Sequence, residues 1–422
     1  MTTDVSIFER GDKMEQTAPK LTDRINKYLL LLVIAAIILG IVLGMFMPEW
    51  FVAIFATFND IFGKFLNFAV PLIILGLIAP AIADLGKSGG KWLLVTVALA
   101  YGSTLIAGFA TYFIADASIP TLLANQQMQE LAAPENSVQS LITGIEFPPI
   151  FGVMSALLTA FILGLTMASL RTETLLKAFH EFRDVIMLLI TRAIVPLLPL
   201  HVFGIFMNMT RSGQIAVVII AMLKIIVLSI ALTLIYLVIQ YVVAGIVGGK
   251  NPFVALKNML PAYFTALGTS SSAATIPVTL SCAQKNGVSE EVSGFTIPLC
   301  ATIHLSGSTI KITLFAMSVM YMMGMTWNFP LMAGFVLMLG VTMVAAPGVP
   351  GGAITAAQAV LTGMLGFTDP MYGLMVALYI AIDSFGTACN VTGDGAISMI
   401  VNKLAQGSIQ GASHNAFIPK AS

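Results

Sequence analysis

The chain has 422 residues, of which 58% are hydrophobic and 9% charged, with a mean hydropathy of +0.94. That composition belongs to polytopic α-helical membrane proteins. Twenty basic residues balance twenty acidic ones, so there is no nucleic-acid footprint, and Cys282, Cys300 and Cys389 lack the spacing of a disulfide framework or zinc site.

In chain order, residues 1–26 are polar and of mixed charge and read as a cytoplasmic tail. They do not read as a cleavable signal, because the apolar run behind them is of full span length. Apolar runs predict spans over 28–47, 51–85, 92–115, 148–170, 184–209 and 215–247. The second is longer than a perpendicular helix needs and is expected to tilt or lie partly in the interface. Between the third and fourth, residues 116–146 read as a polar loop with Asp116, Glu130, Glu135 and Glu146 and no basic residue. With the N-terminus inside, fifteen of the twenty basic residues fall on the cytoplasmic side, which fixes the expected orientation. Residues 406–422 then form a second cytoplasmic tail in a plasma-membrane protein.

The region 251–289 breaks this regularity. Its two apolar halves are each too short to cross and are separated by Gly268-Thr269-Ser270-Ser271-Ser272, which predicts a re-entrant helical hairpin. Residues 329–364 repeat the pattern around the proline- and glycine-rich run from Ala346 to Gly352, where carbonyls are freed and donors removed. Each hairpin precedes a span with a polar interruption: Ile297 to Ser308, then Asp383 to Asp394. Hairpin plus broken span, occurring twice, is an inverted repeat of the kind that places a transport site where the breaks meet.

In the last span Asp383, Thr387, Asn390 and Asp394 follow at steps of four, three and four, which stacks them on one helix face. A carboxylate at mid-membrane depth costs about 2.5–3.5 kcal/mol on insertion scales. Two on one stripe call for a buried cation, an ammonium group, or both. The expected function is carriage of a polar solute. A channel fits less well, because paired carboxylates between two gates favour occlusion. An enzyme fits poorly too, since His-Glu-x-x-His and Gly-x-Ser-x-Gly are both missing and the serine run has no adjacent base.

Thr269 to Pro277, the Ala301 to Gly307 break, Gly348-Val349-Pro350-Gly351 and Asn390 to Asp394 resemble the ordered motifs of the dicarboxylate/amino acid:cation symporter family, the family of the glutamate transporters. The resemblance implies an all-α fold of eight spans and two hairpins, a homotrimer, and an elevator motion. Within residues 27–250, spans one, two, four and five would form a scaffold. Spans three and six would join residues 251–405 as the moving transport domain. It further implies that the tip offers the Ser270 carbonyl and Ser272 amide, beside Ser271, to the substrate's α-carboxylate. Asn390 would be a side-chain partner of that carboxylate, and Asp383 would receive the α-ammonium. Val349 and Ala353 would form a gate. One sodium site would use Asp394 with carbonyls of Cys300, His304 and Asn390, and another the carbonyls of Thr302, Met343, Val344 and Ala346. No organic cofactor is implied.

The chain also departs from that family's pattern. Where an arginine would meet a second substrate carboxylate, it has Ser270 and Gly386, so a small neutral substrate near Thr387 and Ser308 is expected. The seventh-span break reads His304-Leu305-Ser306-Gly307-Ser308 in place of Asn-Met-Asp-Gly-Thr, and Leu99 and Ala100 replace expected hydroxyls, with Ser103 and Thr104 nearby. A third sodium site is therefore expected to be lost. Lys311, seven residues after His304, has several readings: neutralising Asp394 or Asp383, losing its proton, meeting a second substrate carboxylate, or snorkelling outward. Proton coupling through His304, Lys311 and Asp394 is an alternative to sodium. Lys64, Arg192 and Lys224 read as snorkelling or packing at the scaffold boundary.

Overall fold

A computed structural model describes residues 28–405 except 88–90, 125–137, 143, 171–172, 214, 347 and 349; both predicted tails lie outside the described residues. No strand occurs among the described residues. The first helices are α1 (Leu29–Phe46), α2 (Glu49–Lys87), α3 (Lys91–Leu122) and α4 (Val153–Leu170). Then come α5 (Glu173–Leu189) and α6 (Val195–Arg211), joined through a π-helical turn at Ile190–Ile194, and α7 (Ile215–Gly248). The second half holds nine shorter helices. These are α8 (Pro252–Asn258), α9 (Leu260–Thr269), α10 (Ser272–Lys285), α11 (Glu290–Ile303), α12 (Ser306–Met322), α13 (Phe329–Val344), α14 (Gly352–Leu365), α15 (Asp369–Ala381) and α16 (Asp383–Ala405).

Local chemistry sets many of these starts. Asn251, Ser271, Ser289 and Asn328 each accept a backbone N–H of the turn that follows, and proline stands in the first turn of α8, α9, α13 and α15. Among the described residues five stretches are long and apolar enough to cross a membrane: Glu49–Pro80, Lys91–Leu122, Glu173–Arg211, Val218–Gly248 and Glu290–Met322. The α15–α16 pair, bent by 61°, makes a sixth. The first and fourth expected spans fall among the shorter apolar helices, at Leu31–Phe46 and Leu158–Leu170.

Three sequence expectations need correction. The third span runs seven residues past 115, so Asp116 sits in a helix rather than a polar loop and accepts Trp327 Nε1 at 2.7 Å. The fifth begins at Glu173, because the amphipathic α5 continues through the π turn into α6. The eighth is broken as expected, but at Ile382 (φ −128°, ψ 24°), immediately before the polar stripe from Asp383 to Asp394, which is itself helical.

Packing falls into two groups. Helices α1, α2, α4, α5 and α6 lie against one another, while α3 and α7–α16 pack mainly together. Segment 251–286 returns to its start: Asn286 donates to Ala255 O at 2.9 Å and accepts from Asn258 at 2.8 Å, and Lys250 Nζ donates to Asn286 O. Helices α13 and α14 likewise pack along each other. The two groups meet where α15 crosses α6 and α1, and where α14 crosses α2. Of the basic residues read as boundary groups, Lys64 pairs with Asp60 at 3.0 Å, Lys224 donates to Leu122 O at 2.8 Å, and Arg192 is exposed.

Glycines at helix crossings let backbones approach closely. A Cβ at Gly40 of α1 would lie 2.7 Å from Phe203 O on α6, and one at Gly44 would lie 2.7 Å from Met207 O. Gly40→Ala is therefore expected to destabilise the protein by roughly 1–3 kcal/mol. The readout is a lower thermal midpoint in detergent, with Gly102→Ala, whose added carbon meets nothing within 4 Å, leaving it in place. Equal midpoints for the two variants would contradict the tight α1–α6 crossing.

Candidate functional site

Four helices begin around one pocket: α10 at Ser272, α12 at Ser306, α14 at Gly352 and α16 at Asp383. The pocket is lined by Ser270 and Ser272, Ala301 and Leu305, Ser308, Ala346 and Gly348, Ala353, Tyr379, Asp383, Thr387 and Asn390. Helix N-termini carry unpaired N–H groups and a positive partial charge, so the pocket favours an anionic group at these ends. Ser270 stands in the left-handed region (φ 49°), unlike any other non-glycine among the described residues. It is the C-cap of α9, its N–H held by Ala266 O, and this left-handed cap turns the chain at the tip of the hairpin. Ser271 caps α10 through Ala274 N and donates Oγ to Gly348 O at 3.2 Å, tying the first break to the second.

Asp383, 6% exposed, is satisfied from two sides. Its Oδ2 accepts Gly351 N at 2.9 Å and its Oδ1 accepts Lys311 Nζ at 3.2 Å. Lys311 is fully buried, and its ammonium also donates to Asp383 O at 3.3 Å and Ile382 O at 3.4 Å. Three N–H donors thus meet three oxygens, and the Tyr379 ring centroid lies 3.8 Å from Nζ. Gly386 makes room for this side chain: a Cβ there would sit 2.2 Å from Lys311 Cε. The snorkelling reading of Lys311 is therefore overturned, and its partner is Asp383, not Asp394.

Asp394 has a different partner. His304 Nδ1 lies 2.9 Å from Asp394 Oδ1, both buried. A donating Nδ1 leaves Nε2 as acceptor, and Ser103 Oγ (3.0 Å) and Gln240 Nε2 (3.2 Å) both reach it. Tyr236 and Gln240 hold Ser103 in turn. His304 and Lys311, read as one cluster from the sequence, serve separate carboxylates because the break at His304–Leu305 turns the chain between them.

The stripe residues Asp383, Thr387, Asn390 and Asp394 all lie on α16 and are buried. Asn390 Oδ1 accepts Gly307 N at 2.8 Å, and its Nδ2 donates to Ser308 Oγ at 3.1 Å, so it ties α16 to the start of α12. Thr387 donates to Asp383 O. Ser308 also accepts Tyr379 O–H at 2.9 Å, which leaves its own O–H free to donate. Cys300 and Met343 are buried, Val344 is half-buried and Thr302 is exposed. Cys300 O already accepts His304 N at 2.8 Å. Val349 lies outside the described residues. Of the third-span candidates, Ser103 reaches the site, whereas Thr104 bonds only within its helix, to Ala100 O.

Tyr379, Gly351 and Gln240 were missed by sequence reasoning. Tyr379 was findable, because it stands four residues before Asp383 and extends the stripe by one more step. Gln240 was not, lying 64 residues from its histidine.

A family model described as the sodium:dicarboxylate symporter family matches residues 29–404. The chain is 24% identical over 391 residues to the serine/threonine transporter SstT of Streptococcus agalactiae serotype III, covering 89% of this chain and 94% of the relative. It is 27% identical over 376 residues to the SstT of Acinetobacter baylyi, covering 85% and 93%. A third relative, an excitatory amino acid transporter of Caenorhabditis elegans, is 26% identical over 285 residues, covering 65% of this chain and 56% of the relative. With a family match across nearly all of its described length, the chain belongs to the sodium:dicarboxylate symporter family and is a multi-pass membrane transport protein, not an enzyme.

Proposed function

We propose that this chain is a sodium-coupled secondary symporter of small neutral amino acids such as serine, alanine or threonine, working by an elevator motion. The observation that carries the substrate class is the charge of the pocket. Asp383 is the one charged side chain among the described residues lining it, and Lys311 neutralises it from behind with all three N–H donors engaged. A zwitterion leaves such a pocket neutral, whereas a dicarboxylate would bring unpaired charge into a buried site. A Lys311 contact to a second substrate carboxylate finds no spare donor in this geometry. The names of the SstT relatives point the same way.

In this reading the Ser272 amide, Asn390 and the free Ser308 hydroxyl receive the α-carboxylate at the helix N-termini, with Thr387 alongside. Asp383 takes the α-ammonium. The Ser270 carbonyl is an acceptor and belongs with the ammonium, which corrects the earlier assignment of that group to the carboxylate. Ala353 and Gly351 of the second break form the gate; Val349, which the resemblance adds to it, lies outside the described residues.

For sodium, the carbonyls of Thr302, Met343, Val344 and Ala346 stand at or near the C-terminal ends of α11 and α13, where partial negative charge and oxygen ligands suit a hard cation. The site on Asp394, with carbonyls of Cys300, His304 and Asn390, fits less well, because His304 Nδ1 already occupies one carboxylate oxygen. We read His304 as standing where another cation would bind, so fewer sodium ions couple than a full set of sites would allow. Sodium-dependent uptake is favoured over coupling to protons. The elevator division follows the packing: α1, α2, α4, α5 and α6 as scaffold, the remaining helices as the moving body. The family resemblance supports a homotrimer, and the bias of basic residues supports both termini inside.

Reconstituted protein should take up radiolabelled serine or alanine under a sodium gradient, and aspartate and succinate poorly. Asp383→Asn should reduce serine counterflow at least tenfold, since it removes a charged partner worth about 1.5–3 kcal/mol. Succinate or aspartate outrunning serine would sink the neutral-substrate reading. The His304 assignment has its own measurement. His304→Asn frees Asp394 and should steepen the dependence of uptake on sodium concentration, and an unchanged Hill coefficient would refute it.

A further inference from the structure

We propose that Lys311 is a tethered counter-ion for Asp383 during the return of the unloaded carrier, so that the carrier recrosses the membrane without a counter-transported cation. The inference rests on the symport reading above and concerns a step that reading leaves open. If the substrate's ammonium were the main partner of Asp383, release would leave a bare carboxylate to be carried across. On insertion scales that penalty would slow the crossing by on the order of a hundredfold.

The geometry points to an internal solution. Lys311 is on α12 and Asp383 on α16, two helices that pack together in the same group, so the pair can travel as a unit. The ammonium is positioned by the backbone and not by the solute, through Ile382 O and Asp383 O at the start of α16, which accept it beside their own helix-start bonds. Tyr379 covers it from the pocket side, and Gly386 supplies the space. The second carboxylate oxygen is held differently. It accepts Gly351 N at the start of the second break's far helix, so an arriving substrate ammonium competes with the gate and not with Lys311. One oxygen is thus reserved for charge balance, and the other alternates between gate and cargo.

Net uptake requires the unloaded return, whereas exchange of internal for external substrate does not, so comparing the two tests the proposal. The probe is radiolabelled L-serine with full-length protein in liposomes, measured as net uptake under a sodium gradient and as counterflow from serine-loaded vesicles. Lys311→Met should lower net uptake roughly tenfold more than it lowers counterflow. Gly386→Ala, which keeps every charge but pushes the lysine off Asp383, should give the same split. It serves as the test if the methionine variant does not assemble. Lys311→Arg should retain net uptake better than either. Equal loss in both assays, or no loss in either, would overturn the proposal while leaving wild-type transport intact. Absence of serine counterflow in the wild-type chain would overturn the symport reading and this inference with it.

Discussion

A helix that stops inside an apolar medium leaves backbone N–H and C=O groups that no water can satisfy, and the second half of this chain stops four times. Most of the polar chemistry at its centre answers that constraint. Ser271 caps α10, Asn390 receives Gly307 N at the start of α12, and Asp383 receives Gly351 N at the start of α14. Choosing a carboxylate for the last task introduces a charge, and the charge brings in Lys311. Lys311 in turn needs acceptors for its remaining protons, which are Ile382 O and Asp383 O at the start of α16, and a neighbour without a side chain, which is Gly386. Each residue is thus required by the one before it.

Two buried carboxylate pairings, Lys311 with Asp383 and His304 with Asp394, divide the labour along α16. Asp383 and Asp394 are eleven residues apart, about 16 Å along the helix axis, close enough to move as one body and far enough to act separately. The upper pair places Asp383 in the wall of the pocket and, in the reading proposed above, sets what charge a solute can bring. The lower pair is enclosed by α3, α7 and α12 through Ser103, Gln240 and Ser306, so its geometry reports how these helices are docked. A carboxylate bonded to a histidine held by two further side chains does not rearrange without disturbing all of them.

Much of this was legible in the sequence, for identifiable reasons. The stripe from Asp383 to Asp394 is a helical period written in polar residues against an apolar background. The breaks at Ser270 and around Gly351 are marked by serines, glycines and prolines, the residues that break helices for stated steric reasons. What stayed hidden lacked such markers. Ile382 interrupts the last span with no proline or glycine at the break, so no local residue marked its position. The extension of α3 past Asp116 depends on Trp327, 211 residues away. Whether Lys311 turned outward or toward one of two carboxylates was a question of side-chain direction, which depends on the helix rotation set by the His304–Leu305 break. Ser103 was visible as a nearby hydroxyl, but only the docking of α3 selected it over Thr104.

The position of the cation carries the remaining argument. In the family's pattern as the sequence resembles it, an arginine on the last span would stand at Gly386 and offer a planar fork to a second substrate carboxylate. Here the position holds no side chain, and the positive charge comes from α12, entering the same space from behind. The overall charge of the region is little changed, but its address is different. A cation on the pocket wall recognises the cargo, whereas a cation behind Asp383 cancels a charge of the protein itself. Gly386 and Lys311 therefore work as a coupled pair: restoring a side chain at the first evicts the second. In the proposed mechanism, substrate preference and the charge of the unloaded carrier are thereby tied to a single exchange of position.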